Sequence, residues 1–215
     1  MMDVSTQFPL TQAALQEIAL PGMDKVPMPG SFNDFLYLLD AAEFSVEYQP
    51  NELILMSYAS PLHEQIVANL LYLLVGAFRS DPNFHCFGSN RPVYIPELGA
   101  SYNPDAAVVF GVSQYHEYLP GRLATLNPWL VVEVLSPGTE RYDWQDKLRR
   151  YKKINSLEYI LYVEQDQAYL TLHFRDAETR RWASMDYDSI EQHFQIGNQE
   201  ISIGDIYAKV DFNAK

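Results

Sequence analysis

Residues 130–138 read LVVEVLSPG: Leu130, Val131, Val132, Val134 and Leu135 surround Glu133 before Ser136, Pro137 and Gly138 break the run. A short apolar run ended by turn residues is the pattern of a strand covered on both faces, so the chain needs a sheet with a layer on either side. An ionised carboxylate inside such a strand costs several kcal/mol unless a cation meets it. Glu133 is therefore out of place, half of an ion pair, or a ligand.

The rest of the chain supplies strands and helices in a mixed order. Residues 1–30 carry Pro9, Pro21, Pro27 and Pro29 and read as an irregular arm with one short helix near residues 11–20. SFNDFLYLLDAAE has Ser31 as N-cap and places Phe32, Phe35, Leu36 and Leu39 on one helical face. FSVEYQPNELILMS reads as a β-hairpin around Gln49–Pro50–Asn51. Ile66, Leu70, Leu73, Leu74 and Ala77 recur at helical spacing from Leu62 to Phe78, and Asp81–Pro82 ends that helix. NFHCFG, RPVYIP and DAAVVFG follow as strands, and residues 112–128 read as a polar loop. Residues 143–154 read as a helix capped by Asp143 with Asp146 at the third position. EYILYVEQ, AYLTLHFRD and RWASMDYD then form an antiparallel run. The fold class expected is α/β or mixed α+β, a central mixed sheet flanked by helices with extra β-hairpins, in one domain over residues 31–215.

Composition narrows the function. The 215 residues include 28 acidic and 15 basic ones, a formal net charge of −13, which argues against non-specific phosphate binding over a broad surface. The positive charge is concentrated instead. KLRRYKK, residues 147–153, holds five of the fifteen basic residues, with Arg149, Arg150, Lys152 and Lys153 as candidate nucleic-acid contacts. No stretch approaches the roughly 18 apolar residues of a membrane span, and the N-terminus lacks the basic and apolar regions of a secretory signal. The lone Cys86 excludes an intramolecular disulfide and fits the cytoplasm. His85, His116, His173 and His193 have no metal-ligand spacing between them.

Asp105 stands at the head of one strand and Glu133 lies in the next. If those strands pair, two carboxylates meet at one end of the sheet. Two such oxygen ligands, a backbone carbonyl and waters suit Mg²⁺ (or Mn²⁺), which can polarise a phosphoryl oxygen and deliver hydroxide. YNPDAAVVF, LVVEVLSPGTERYDWQDKLRRYKK, EYILYVEQ and, ahead of the long helix, NELILMSYASPLHEQIV resemble the Uma2 family of restriction-endonuclease-like proteins, similar to the PD-(D/E)xK nucleases. The resemblance runs from about Phe32 to about Phe174. It implies a restriction-endonuclease-like sandwich and a Mg²⁺-dependent endonuclease acting on nucleic acid, DNA first. It also implies roles: Asp105 and Glu133 as metal ligands, the Val134 carbonyl as a third, and Glu64 as an additional helix acid with His63 beside it. The chain departs from the pattern at Leu135, where the ExK element has Lys. Lys147 is then the candidate for a lysine supplied from the neighbouring helix. A two-fold partner would give a nuclease of this kind its second site, so a homodimer is expected.

Each residue also has a plain structural reading. Glu133 could pair with Lys147 or Arg149 as a bridge, since ion-pair networks resemble sites. Asp105 could be a turn residue, Lys147 an i,i+4 partner of Asp143, and Glu64 and His63 the polar first turn of a helix. Two other functions stay open: a binding or regulatory module that keeps the nuclease fold without cutting, and a metal hydrolase acting on something other than DNA.

Overall fold

The computed structural model of the chain describes residues 25–41, 45–56, 59–136 and 146–213. The elements run β1 (Lys25–Pro29), α1 (Phe32–Ala41), β2 (Val46–Gln49), β3 (Glu52–Met56), α2 (Pro61–Phe78), β4 (Phe84–Gly88), β5 (Val93–Ile95), β6 (Ala100–Tyr102), β7 (Ala106–Phe110), β8 (Tyr115–Leu119), β9 (Arg122–Thr125) and β10 (Leu130–Leu135). They continue with α3 (Leu148–Tyr151), β11 (Tyr159–Glu164), β12 (Leu170–Arg175), β13 (Trp182–Tyr187), β14 (His193–Ile196), β15 (Gln199–Ser202) and α4 (Ile203–Ile206).

The run containing Glu133 is β10, and all six of its residues are buried. It lies inside a six-stranded sheet of order β13-β12-β11-β10-β7-β4. Pairing is parallel with β11 and antiparallel with β7, so the sheet is mixed. Alternation sends Leu130, Val132 and Val134 against Ile66, Leu70 and Leu74 of α2. Val131 and Leu135 face the other way, into a cluster with Val93 and Ile95 of β5, Tyr102 of β6 and Tyr151 of α3. Glu133 belongs to this second face by the same alternation. β5 and β6 come from a seven-stranded sheet of order β1-β3-β2-β6-β5-β9-β8, whose own core gathers Phe35 and Leu38 of α1 with Val46, Tyr48, Leu53 and Leu55. Two mixed sheets with few helices thus enclose the layer from which Glu133 points.

Local chemistry sets the helix starts. Ser31 and Asp34 cap α1 reciprocally: the Asp34 N–H donates to Ser31 Oγ at 3.3 Å and the Ser31 N–H to Asp34 Oδ2 at 2.7 Å. At α2, Ser60 Oγ accepts from the His63 N–H at 3.1 Å and Pro61 occupies the first turn.

Four expectations change. Residues 25–29 of the arm form β1, and Pro27 and Pro29, which have no N–H to give, hold it to the sheet edge. The rest of the arm, with its expected helix, lies outside the described residues, as does Asp143. Residues 112–128 are not a loop but carry the β8–β9 hairpin, so Asp105 and Glu133 lie on neighbouring rather than successive strands. Of the helix expected over 143–154, the described residues carry a wide π turn at 146–147 and then α3, and it stops early: N–H groups of Lys153 and Ile154 reach back only three residues, to Arg150 and Tyr151, tightening the end so that Ile154 and Leu157 enter the core. Among the described residues no helix is long and apolar enough to cross a membrane.

Candidate active site

Asp105 and Glu133 arrive from β7 and β10, whose ladder runs Leu130↔Val108 to Val132↔Ala106 and stops. Asp105 extends the pairing with its own groups. Its N–H donates to the Val132 carbonyl at 3.0 Å and its Oδ2 accepts from the Val134 N–H at 2.7 Å. N–H and C=O of one strand residue point to the same edge. The Val134 carbonyl is therefore directed to the side where Asp105 stands.

Glu133 is 4% exposed, and its carboxylate is met from α3. Lys147 Nζ lies 3.0 Å from Glu133 Oε1 and 3.1 Å from Oε2, and the Tyr151 hydroxyl donates to Oε1 at 2.7 Å. Lys147 and Tyr151 are four residues apart and so share one helix face. The same ammonium lies 2.8 Å from Oε1 of Glu47, on β2 of the other sheet. Lys147 and Glu47 are buried at 1% and 0% exposure, so the three charges form a dry triad. Burial, and then the charge of Glu133, push the Tyr151 hydroxyl well above the usual tyrosine pKa, so it stays a donor. Leu135 packs in the apolar cluster beside Tyr151, and Lys147 brings its ammonium to Glu133 from the opposite layer.

The α2 contribution differs from the expectation. Glu64, expected as the helix acid, has a side chain 67% exposed and lines an open groove of about 450 Å³ with Ser89, Asn90 and Arg91. One position earlier, about 100° around the helix, His63 Nε2 lies 3.3 Å from Asp105 Oδ2. Burial lowers the His63 pKa, but the Asp105 hydrogen bond and the charges of Asp105, Glu64 and Glu133 outweigh it and hold the pKa above the ordinary value. Ser60 anchors this turn, its hydroxyl donating to Gln165 Oε1 at 2.9 Å just past β11. His63 is thus the α2 side chain at the carboxylates.

The basic run is divided in use. Arg149 and Lys153 face solvent. Arg150 donates to Gln49 Oε1, and Lys152 sits 5.7 Å over the Trp182 ring with its pKa lowered by burial. Among the described residues no group of three or more His, Cys, Asp or Glu side chains is arranged to hold a metal. The oxygen donors present are the Asp105 and Glu133 carboxylates and the Val134 carbonyl on the Asp105 side of β10, a set that suits only a hard cation keeping most of its waters. Sequence reasoning passed over Glu47 because Ser45, Glu47 and Gln49 alternate like the wet face of a hairpin. It passed over Tyr151 although that residue lies four beyond Lys147.

Residues 32–200 match the sequence model of the Uma2 family, described as "Putative restriction endonuclease". An "uncharacterized protein" of Synechocystis sp. is 26% identical over 149 residues, 69% of this chain and 82% of that protein. The crystal structure of a DUF820 protein from Anabaena variabilis, described as a "putative nuclease", superposes with a TM-score of 0.67 at 15% identity, covering 84% of this chain and 98% of that one. At that identity the likeness establishes the fold.

Proposed function

The chain belongs to the Uma2 family, and from that premise we propose that it is a Mg²⁺-dependent endonuclease hydrolysing phosphodiester bonds of nucleic acid, with DNA the favoured substrate. One observation carries the reading: a lysine from outside the strand, Lys147, meets Glu133 at 3.0 Å one residue from the Val134 N–H that holds Asp105. Asp105, Glu133 and the Val134 carbonyl would hold Mg²⁺ or Mn²⁺. When bound, the ion lowers the pKa of a coordinated water and polarises the phosphoryl oxygen. Lys147 holds the Glu133 carboxylate in place, and its charge offsets the charge building on the phosphate. His63, its Nε2 at 3.3 Å from Asp105 Oδ2, positions that carboxylate. Arg149 and Lys153 are left to meet backbone phosphates, since Arg150 and Lys152 are held by Gln49 and Trp182. The protein acts in the cytoplasm as a homodimer in this reading.

The second reading, a non-cleaving module, draws on the completeness of the Glu47–Lys147–Glu133 triad and on Leu135. A plasmid-nicking assay separates the two. Wild-type protein nicks supercoiled DNA with Mg²⁺ or Mn²⁺ and not with EDTA, and Glu133→Ala abolishes nicking. Wild-type protein that binds DNA but leaves it supercoiled in both metals assigns the fold to binding alone.

A further inference from the structure

Glu47 lies on β2, in the seven-stranded sheet, fully buried and outside the motifs that point to the site. Its neighbours Val46 and Tyr48 pack into the α1 core. Strand alternation turns Glu47 the other way, toward the six-stranded sheet. There its Oε1 meets Lys147 Nζ at 2.8 Å and accepts the Asn103 N–H at 2.9 Å. The Asn103 side-chain amide donates to the Val46 carbonyl at 3.0 Å and to Ser45 Oγ at 2.9 Å. Asn103 stands two residues before Asp105, so residues 45–47 grip the peptide that delivers Asp105 while Glu47 grips the lysine that meets Glu133.

We propose that Glu47 is a positioning residue for the reaction: it holds the Lys147 ammonium at Glu133 and sets the backbone leading to Asp105. The inference rests on the nuclease reading above. A lysine head is a compact charge with three donors on a flexible four-carbon stem. Lys147 stands at the N-cap of the four-residue α3 and its side chain makes no cap hydrogen bond, so Nζ is left to be fixed by its carboxylate partners. Glu133 offers two oxygens and Glu47 a third acceptor, matching the three donors of the ammonium. A buried carboxylate is a costly way to fill a strand position, and an apolar side chain of similar volume is often as stable or more so. Glu47 is accounted for by what it holds.

The test uses the full chain with three variants, Glu47→Gln, Glu47→Asp and Glu47→Ala. It reads steady-state cleavage of a fluorescent DNA duplex in Mn²⁺, melting temperature, and the ¹⁵N signals of lysine ammonium groups. Glu47→Gln keeps shape and an acceptor oxygen but removes the charge. It should lower kcat about tenfold or more with KM nearly unchanged, the mark of lost alignment rather than lost binding. The solvent-protected Lys147 signal, identified by its loss in Lys147→Arg, should broaden in Glu47→Gln and Glu47→Ala and partly return in Glu47→Asp, with kcat following it. A variant whose melting temperature falls while kcat per folded molecule and the ammonium signal stay as in wild type overturns the proposal and leaves Glu47 a structural residue. If wild-type protein cuts nothing in any metal, the nuclease reading falls and Glu47 positions nothing for catalysis. The ammonium signal then still reports whether Glu47 holds Lys147.

Discussion

Among the described residues Lys147 is the cation placed between two buried carboxylates, and that asymmetry decides which substitutions the fold tolerates. Removing the lysine as Lys147→Met leaves Glu47 and Glu133 facing each other without their shared cation, the situation in which breaking a buried pair costs about 3–5 kcal/mol. Glu133→Gln leaves Lys147 paired with Glu47 and should cost far less. Urea denaturation of the two variants measures the difference, and equal losses would mean that the triad does not carry the charge balance described. His63 gives a pH signature. Its folded pKa is raised above the ordinary histidine value, so its pairing with Asp105 stabilises fully below about pH 6.5 and fades as pH rises through the folded pKa. The stability gap between wild type and His63→Gln should therefore be widest near pH 5.5 and narrow toward pH 8. A gap that widens with pH would refute the ion pair. At this scale Glu133 was legible, because an acid in an apolar run demands a partner. Which partner it takes was not, since Lys147 stands fourteen residues away in sequence and Glu47 in another sheet.

Elements were legible where one period ran uninterrupted, as in α2, whose apolar residues recur over eighteen positions, and in β10, whose apolar run implied cover on both faces. They were misread where a tight turn divided short strands. YHEYLPGRLAT is a hairpin, and its signal is Pro120–Gly121. Proline presets the first turn position and glycine supplies the positive φ of the second, here +79°. The helix that ends in α3 was read too far at its C-terminal end because the basic run suggested more turns, whereas burying Ile154 and Leu157 ends it. Nothing in local propensity reports that tertiary demand. The hairpin yields its own prediction. Gly121→Ala forces a side chain into left-handed backbone at about 1 kcal/mol, lowering the melting temperature by about 2–4 °C in a chain of this size. No neighbouring atom lies within 4 Å of the added Cβ, so the loss is conformational and nicking activity should be unchanged. A larger fall, or lost activity, would give the turn a role beyond joining two strands.

The whole molecule ends its six-stranded sheet on β13 at one side and β4 at the other. An open edge presents unpaired N–H and C=O groups, a template for another strand unless charge or cover blocks it. At the β13 edge the strand exposes the polar Ser184 and Asp186 beside Met185. The β4 side is rimmed instead by Val75 of α2 and by Phe110 and Val112, which are 47%, 52% and 84% exposed. Scattered apolar residues mean little, but three around one strand edge form a patch of the kind that marks an interface. In the nuclease reading proposed above, a second copy of the chain would give the enzyme two sites, and an isologous contact needs a single self-complementary patch. The net charge of −13 opposes association at low ionic strength, so dimerisation should strengthen as salt screens it. Light scattering at micromolar concentration and about 0.15 M salt should give twice the 24.7 kDa chain mass. Val112→Asp, at the most exposed point of the rim, should return the monomer without changing the melting profile of the dissociated chain. Wild-type protein that scatters at 24.7 kDa across the salt range removes the dimer, and a dimer indifferent to Val112→Asp moves the interface off the β4 edge.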